Sequence, residues 1–178
     1  MRKKFLIWLL VISVLANGWF FYKWQQQEEI YTTKLLSYFQ STTTNAEQIM
    51  GISPVQISEE SSYVGLKLQA VSNAFASASN MYHPEMDMPI DEAEFQYLYE
   101  SHVILERTYL PIVEKLEYAN QPLSKEDEKK LLELTSNLYN SGLIGEYEYP
   151  TDSDLYMQAV KEFLRLEGAL SPEEDLKS

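Results

Sequence analysis

The chain has 178 residues, which suits one folded domain with an appendage. Fourteen basic against 27 acidic residues give a net charge of −13. There is no basic stripe to neutralise phosphates, so nucleic acid is excluded as a partner. Cysteine is absent, which removes disulfides, thiolate-bound zinc, iron–sulfur clusters and thiol catalysis. Apolar residues make up 45% of the chain and are spread throughout, enough for a packed core rather than a disordered polyelectrolyte.

The first element is the most sharply defined. Met1-Arg2-Lys3-Lys4 is basic, and Phe5 to Tyr22 follow as 18 residues without a charge. As a helix that run is about 27 Å long, close to the roughly 30 Å of a bilayer core. Phe5 and Trp8 stand near its start; Trp19, Tyr22 and Trp24 cluster at its far end, where amphipathic rings favour the headgroups. The pattern predicts a cytoplasmic basic stub over 1–4 and a transmembrane signal-anchor helix over 5–24. Three basic side chains precede the run and Lys23 alone follows it directly, so the expected topology is single-pass in the cell membrane, N-terminus in the cytoplasm and the remainder outside. The alternative is a cleaved signal with an h-region over Phe5–Leu15 and a cleavage site at Val14-Leu15-Ala16, releasing a secreted helical protein. The apolar run continues past that site through Trp19-Phe20-Phe21-Tyr22, which favours the anchor. Ser13 and Asn17 share one face of it, and Asn17 is expected to meet water at the outer headgroups.

From Gln25 onward, 10 basic against 27 acidic residues give −17. A juxtamembrane helical stalk is expected over 25–52, with Ile30, Leu35, Leu36 and Phe39 as a modest apolar face. Thr42-Thr43-Thr44-Asn45 is poor helix material and marks where a break can fall; otherwise the stalk continues the first helix outward. An acidic extracytoplasmic bundle over 53–170 and a tail over 171–178 complete the chain. Ser53-Pro54-Val55-Gln56 reads as a helix start. Val64, Leu68, Val71, Phe75, Ala78 and Tyr82 then form one stripe that His83-Pro84 ends. Asp91-Glu92-Ala93-Glu94 opens the most periodic helix, with Phe95, Leu98, His102, Leu105, Tyr109, Ile112 and Leu116 on one face. Pro111 inside it predicts a kink near Leu110. Ser124 starts a helix carrying Leu131, Leu134 and Leu138, which Ser141-Gly142 stops. Thr151-Asp152-Ser153-Asp154 starts the last, with Leu155, Ala159, Phe163, Leu166 and Leu170 as its apolar positions and Gly168 fraying its end. Strand-type alternation is missing. The expected fold class is all-α: an N-terminal single transmembrane helix followed by an antiparallel four- to five-helix bundle.

Enzyme signatures are absent: no phosphate-cradling glycine loop, no Gly-x-Ser-x-Gly elbow and no His-Glu-x-x-His. No reaction and no cofactor is implied. The candidate metal ligands are weak. His102 and Glu106 lie four residues apart on one helix side, where the simpler expectation is a core histidine satisfied by a neighbouring tyrosine or carboxylate. His83, Glu85 and Asp87 fall in one loop without the spacing of a zinc or calcium motif, and Glu146, Glu148, Asp152 and Asp154 lack the calcium-loop pattern. Thirteen tyrosines suit either the half-wet margins of a small bundle or an interaction surface. The expected function is a membrane-anchored protein-interaction or adaptor module whose partners are the lipid bilayer and another envelope protein or itself. A ligand- or cation-sensing ectodomain is the alternative.

Overall fold

The structure is a computed structural model that describes residues 2–50, 60–83, 90–119, 123–144 and 153–170; the side chains of 2–7, of Leu9 and of 117–119 are outside that description. The described chain is helical, without a strand. Helix α1 runs over Arg2–Met50 and α2 over Ser61–Ser79. Then α3 (Glu92–Ile104) passes through a π-helical turn (Leu105–Tyr109) into α4 (Leu110–Ala119) as one continuous rod. The last two helices are α5 (Lys125–Asn140) and α6 (Ser153–Leu166).

Local chemistry sets several of these ends. Asp91 caps α3 in a full capping box, its carboxylate accepting from Glu94 N–H while the Glu94 carboxylate accepts from Asp91 N–H. Ser124 caps α5 by accepting from Asp127 N–H. Gly142 follows α5 at φ 82°, a left-handed conformation that costs glycine little. Gly168, expected to fray α6, instead closes it. At φ 73° it donates to the Arg165 carbonyl, and Ala169 donates to the Leu164 carbonyl, the two bonds of a Schellman cap. The predicted start of α2 at Ser53-Pro54 lies outside the described residues; the described helix begins at Ser61.

One hydrophobic core draws on every helix, and it begins on α1 at Leu35 and Phe39. No break falls at Thr42–Asn45. Thr42 donates to the Tyr38 carbonyl (3.0 Å) and Asn45 Nδ2 to the Ser41 carbonyl (2.7 Å), so side chains that could compete with the helix bond back onto its preceding turn. Thr42 is also held from outside: the buried Tyr156 of α6 donates its hydroxyl to Thr42 Oγ1 (3.0 Å) and stacks on Phe39 with centroids 3.5 Å apart. Tertiary packing outweighs weak propensity here.

The first half of α1 stands apart from this core. Every described side chain from Trp8 through Ile30 is exposed, Ile30 included, although its apolar character had placed it on the stalk's packing face. Among the described residues no helix is long and apolar enough to cross a membrane. The uncharged run begins at Phe5, however, and the side chains of 5–7 and of Leu9 are not among them. The fold therefore gives the expected span at 5–24 no independent support.

Two expectations for the bundle are corrected. The first concerns helix direction. Paired contacts make α2 antiparallel to α1 (Tyr63 with Gln48, Lys67 with Asn45) and α3 antiparallel to α2 (Ser72 with Glu106, Tyr82 with Phe95). But α6 ascends together with the α3–α4 rod, through Lys161 over the Tyr97 ring and Tyr109 bonded to Glu167. The bundle is thus not antiparallel throughout. The second concerns the register of α6: Leu155 is 61% exposed, while Tyr156, Met157, Val160, Phe163 and Leu164 are buried. Phe163 is buried and Ala159 packs against the core as expected, but at the start of the stripe Tyr156 takes the place expected for Leu155, because its ring fits against Phe39 and Phe75. Pro111 has its expected effect in a different form. The Leu110 N–H reaches back to the Leu105 carbonyl, five residues away, and the resulting π turn carries the rod past a proline that can neither donate nor tolerate the Arg107 carbonyl in α-geometry.

Two measurements follow. In urea melts of the full chain in detergent, Phe39→Ala costs about 3–5 kcal/mol, whereas Leu155→Ala stays within about 0.5 kcal/mol. Burial raises the Tyr156 phenol above its ordinary range, with the Thr42 hydrogen bond opposing. Burial also raises Tyr109, reinforced by its hydrogen bond to Glu167 and the charges of Glu167 and Glu133. The folded state therefore holds these protons more tightly than the unfolded chain does. Stability is full below the free phenol range near pH 10 and falls as pH rises beyond it. Tyr156→Phe flattens that alkaline decline in melts recorded between about pH 9 and 11.

Candidate functional site

The polar side chains that the fold brings together meet between α2 and the π turn. Ser72, fully buried on α2, places its Oγ 2.8 Å from His102 Nδ1 and donates to Glu106 Oε1 at 3.0 Å. Gln69 Nε2 donates to the same Glu106 oxygen at 2.8 Å. A serine hydroxyl has one proton. With that proton committed to Glu106, His102 supplies the proton of the Nδ1 contact, and the chain runs imidazole N–H to hydroxyl to carboxylate. Serine stands in the middle of this order, bonded to both partners. A nucleophilic triad needs the imidazole in the middle, with serine on one ring nitrogen and the acid on the other. The arrangement ties α2 to α3 and does not activate Ser72.

The partner at His102 Nδ1 is a serine hydroxyl, where the simpler expectation is a tyrosine or carboxylate at a core position. His102 is half-buried, and its ring lies 6.4 Å from that of Tyr99. Tyr99 continues a ladder of rings on the same surface, Tyr82–Phe95 at 5.2 Å and Phe95–Tyr99 at 6.0 Å. Glu106 lies beside His102 as the four-residue spacing implied, but both turn toward Ser72.

The other candidate ligands do not converge. His83 is exposed just beyond α2, while Glu85 and Asp87 lie outside the described residues. Asp154 is exposed at the start of α6, and Glu146, Glu148 and Asp152 are again outside. Among the described residues no three His, Asp or Glu side chains are placed to hold a metal ion. The Asp154 carboxylate instead acts on Glu94. Partial burial, helped by the charges of Asp91 and Asp154, raises the Glu94 pKa against the Asp91 backbone hydrogen bond.

A second polar junction was not anticipated. Glu167, in the cap of α6, accepts from Tyr109 (2.6 Å) and from Asn137 Nδ2 of α5 (2.9 Å), joining three elements through one carboxylate. Tyr109 was placed on the apolar stripe correctly, but nothing in the local pattern pointed to an acid 58 residues later. No family model, curated protein or solved structure matches this chain, so the site's meaning rests on its own geometry.

The Ser72 junction is testable as a unit. In a double-mutant cycle on the full chain, Ser72→Ala and Glu106→Gln couple by about 0.5–3 kcal/mol in unfolding free energy, as expected for members of one hydrogen-bond network. Additive effects in urea melts would show that the two residues act separately.

Proposed function

We propose that the chain is a single-pass membrane protein whose acidic helical bundle lies outside the cytoplasm and engages a protein partner close to the bilayer. The observation that carries this reading is the division of α1. Its second half enters the core at Leu35, whereas Trp8, Leu10, Val11, Ile12, Val14, Leu15, Trp19, Phe20, Phe21, Tyr22 and Trp24 are all exposed along its first half. So large a continuous apolar surface is far beyond the scattered exposed leucines of an ordinary soluble domain, and it calls for an apolar environment. Hydrocarbon meets that need along the whole circumference of the helix, and a protein groove meets it on one side only. The three basic residues before the run orient it with the bundle outside.

The distance to the bundle follows from helix geometry. From Trp24 to Leu35 is 11 residues, so the core begins about 16 Å beyond the last interfacial ring. A partner at that height would be another envelope protein. Tyr63, Tyr99 and Tyr139 remain 40–59% exposed on the bundle, which suits contacts that are apolar and hydrogen-bonding together.

The test uses the absence of native cysteines. The full chain should stay with membranes after alkaline extraction. Val14→Arg should shift it toward the aqueous fraction, since a central arginine costs roughly 2.5–3.5 kcal/mol on insertion scales. Single cysteines replacing Ser41 and Ser124 should react with an impermeant thiol reagent in intact cells. Labelling only after lysis would reverse the topology, and a shortened soluble product would establish cleavage instead.

A further inference from the structure

We infer that the π turn of the α3–α4 rod couples the two polar junctions of the bundle, so that loosening one weakens the other. This coupling is independent of the membrane reading.

Both junctions start on the same turn, Leu105–Tyr109. Glu106 accepts from Ser72 at 3.0 Å and from Gln69 at 2.8 Å, both on α2. Tyr109 donates at 2.6 Å to Glu167 in the cap of α6, and Asn137 of α5 donates to that carboxylate at 2.9 Å. One turn therefore grips α2 with one side chain and the α5–α6 end with another. α-Geometry would hold residues three apart within about 60° of each other, on one face. The wider i→i+5 ring turns less per residue and opens that angle, which lets Glu106 and Tyr109 reach different neighbours.

A regular α-turn cannot keep both grips. It would bring the Pro111 ring against the Arg107 carbonyl and swing Glu106 and Tyr109 back toward one face. Arg107 and Thr108 on the outer side of the turn are exposed, whereas Leu105 and Tyr109 are buried, so its shape is held from the inside. The rod beyond it has little slack. There α4 lies so close to α2 that a Cβ added at Gly65 would come within 3.3 Å of Val113 Cγ1. A change in the turn is not absorbed by moving α4 toward α2, because the space is already filled. A shift that begins at Glu106 is passed along the backbone to Tyr109, and the effect is reciprocal. Gln69, His102 and Glu106 are half-buried, so the Ser72 junction opens onto the surface beside Tyr99. Its state is thereby felt where α5 meets the cap of α6.

The experiment is a pair of double-mutant cycles on the full chain in detergent, read by urea unfolding. Ser72→Ala and Tyr109→Phe each remove one hydroxyl, and the two hydroxyls share no hydrogen-bond partner among the described residues. The unfolding equilibrium constant of the double variant should fall short of the product of the single effects by at least about threefold, beyond the additivity of independent sites. Tyr156→Phe, which loosens the Thr42 joint away from the turn, should combine additively with Ser72→Ala. Amide exchange gives a local readout. The Leu110 N–H, bonded to the Leu105 carbonyl, should exchange at least about threefold faster in either single variant, relative to the Leu134 amide within α5. Additivity of Ser72→Ala with Tyr109→Phe, an equally large term between Ser72→Ala and Tyr156→Phe, or an unchanged Leu110 ratio overturns the coupling.

Discussion

A single helix with one exposed stretch and one buried stretch constrains everything else in this structure. From Leu35 onward α1 is a core element, with Leu35, Phe39, Thr42, Ala46 and Ile49 all buried. Before Ile30 the described side chains of the same helix are exposed and rich in large apolar groups. A backbone that is hydrogen-bonded without interruption over 49 residues cannot treat these halves as independent. The bundle is built onto the end of the rod, and the exposed half of α1 leaves from one end of it. The α3 and α6 N-termini lie toward that end, because Phe39 packs against Tyr156 near the start of α6 and Tyr82 against Phe95 near the start of α3.

The bundle must also hold together while carrying a large negative charge. Among the described residues, the ion pairs Lys129–Glu133, Lys130–Glu126 and Arg165–Glu162 are exposed and lie within single helices, so each contributes little to joining one helix to another. The polar joints between helices are of a different kind. Tyr156 to Thr42, Tyr109 to Glu167, Asn137 to Glu167 and Ser72 to Glu106 use a neutral donor, while Lys67 of α2 reaches Asn45 of α1 as a charged one. Neutral donors let an acidic chain satisfy its few inward carboxylates without burying compensating cations, whose desolvation is costly. The tyrosine surplus is used partly in this way, and partly at the exposed positions Tyr63, Tyr99 and Tyr139.

Much of this was legible in the chain. The stripes over Val64–Ala78, Leu98–Leu116 and Leu131–Leu138 are buried as their spacing implied, since apolar side chains three and four residues apart must share a face. The caps at Asp91, Ser124 and Gly142 were equally plain, because each depends on one or two neighbouring residues. The points left open or missed have a common cause. The continuity of α1 through Thr42–Asn45 and the one-residue shift at the start of α6 both depend on the Phe39–Tyr156–Thr42 contact, which joins positions 114 residues apart. Leu155 and Tyr156 are both apolar enough to face a core, and only the shape of the site opposite decides between them.

By itself the sequence determined the capped helix ends at Asp91, Ser124 and Gly142, the inward stripe of most helices, and that one uncharged stretch stands beside an acidic remainder, because these properties arise from near neighbours along the chain. The tertiary structure decided that the first helix runs unbroken into the core, that α6 travels alongside the α3–α4 rod in the same sense, that Pro111 is passed by a π turn, and that Ser72 stands between His102 and Glu106. Those outcomes depend on which distant side chains share a boundary, and a one-dimensional pattern holds no record of such boundaries.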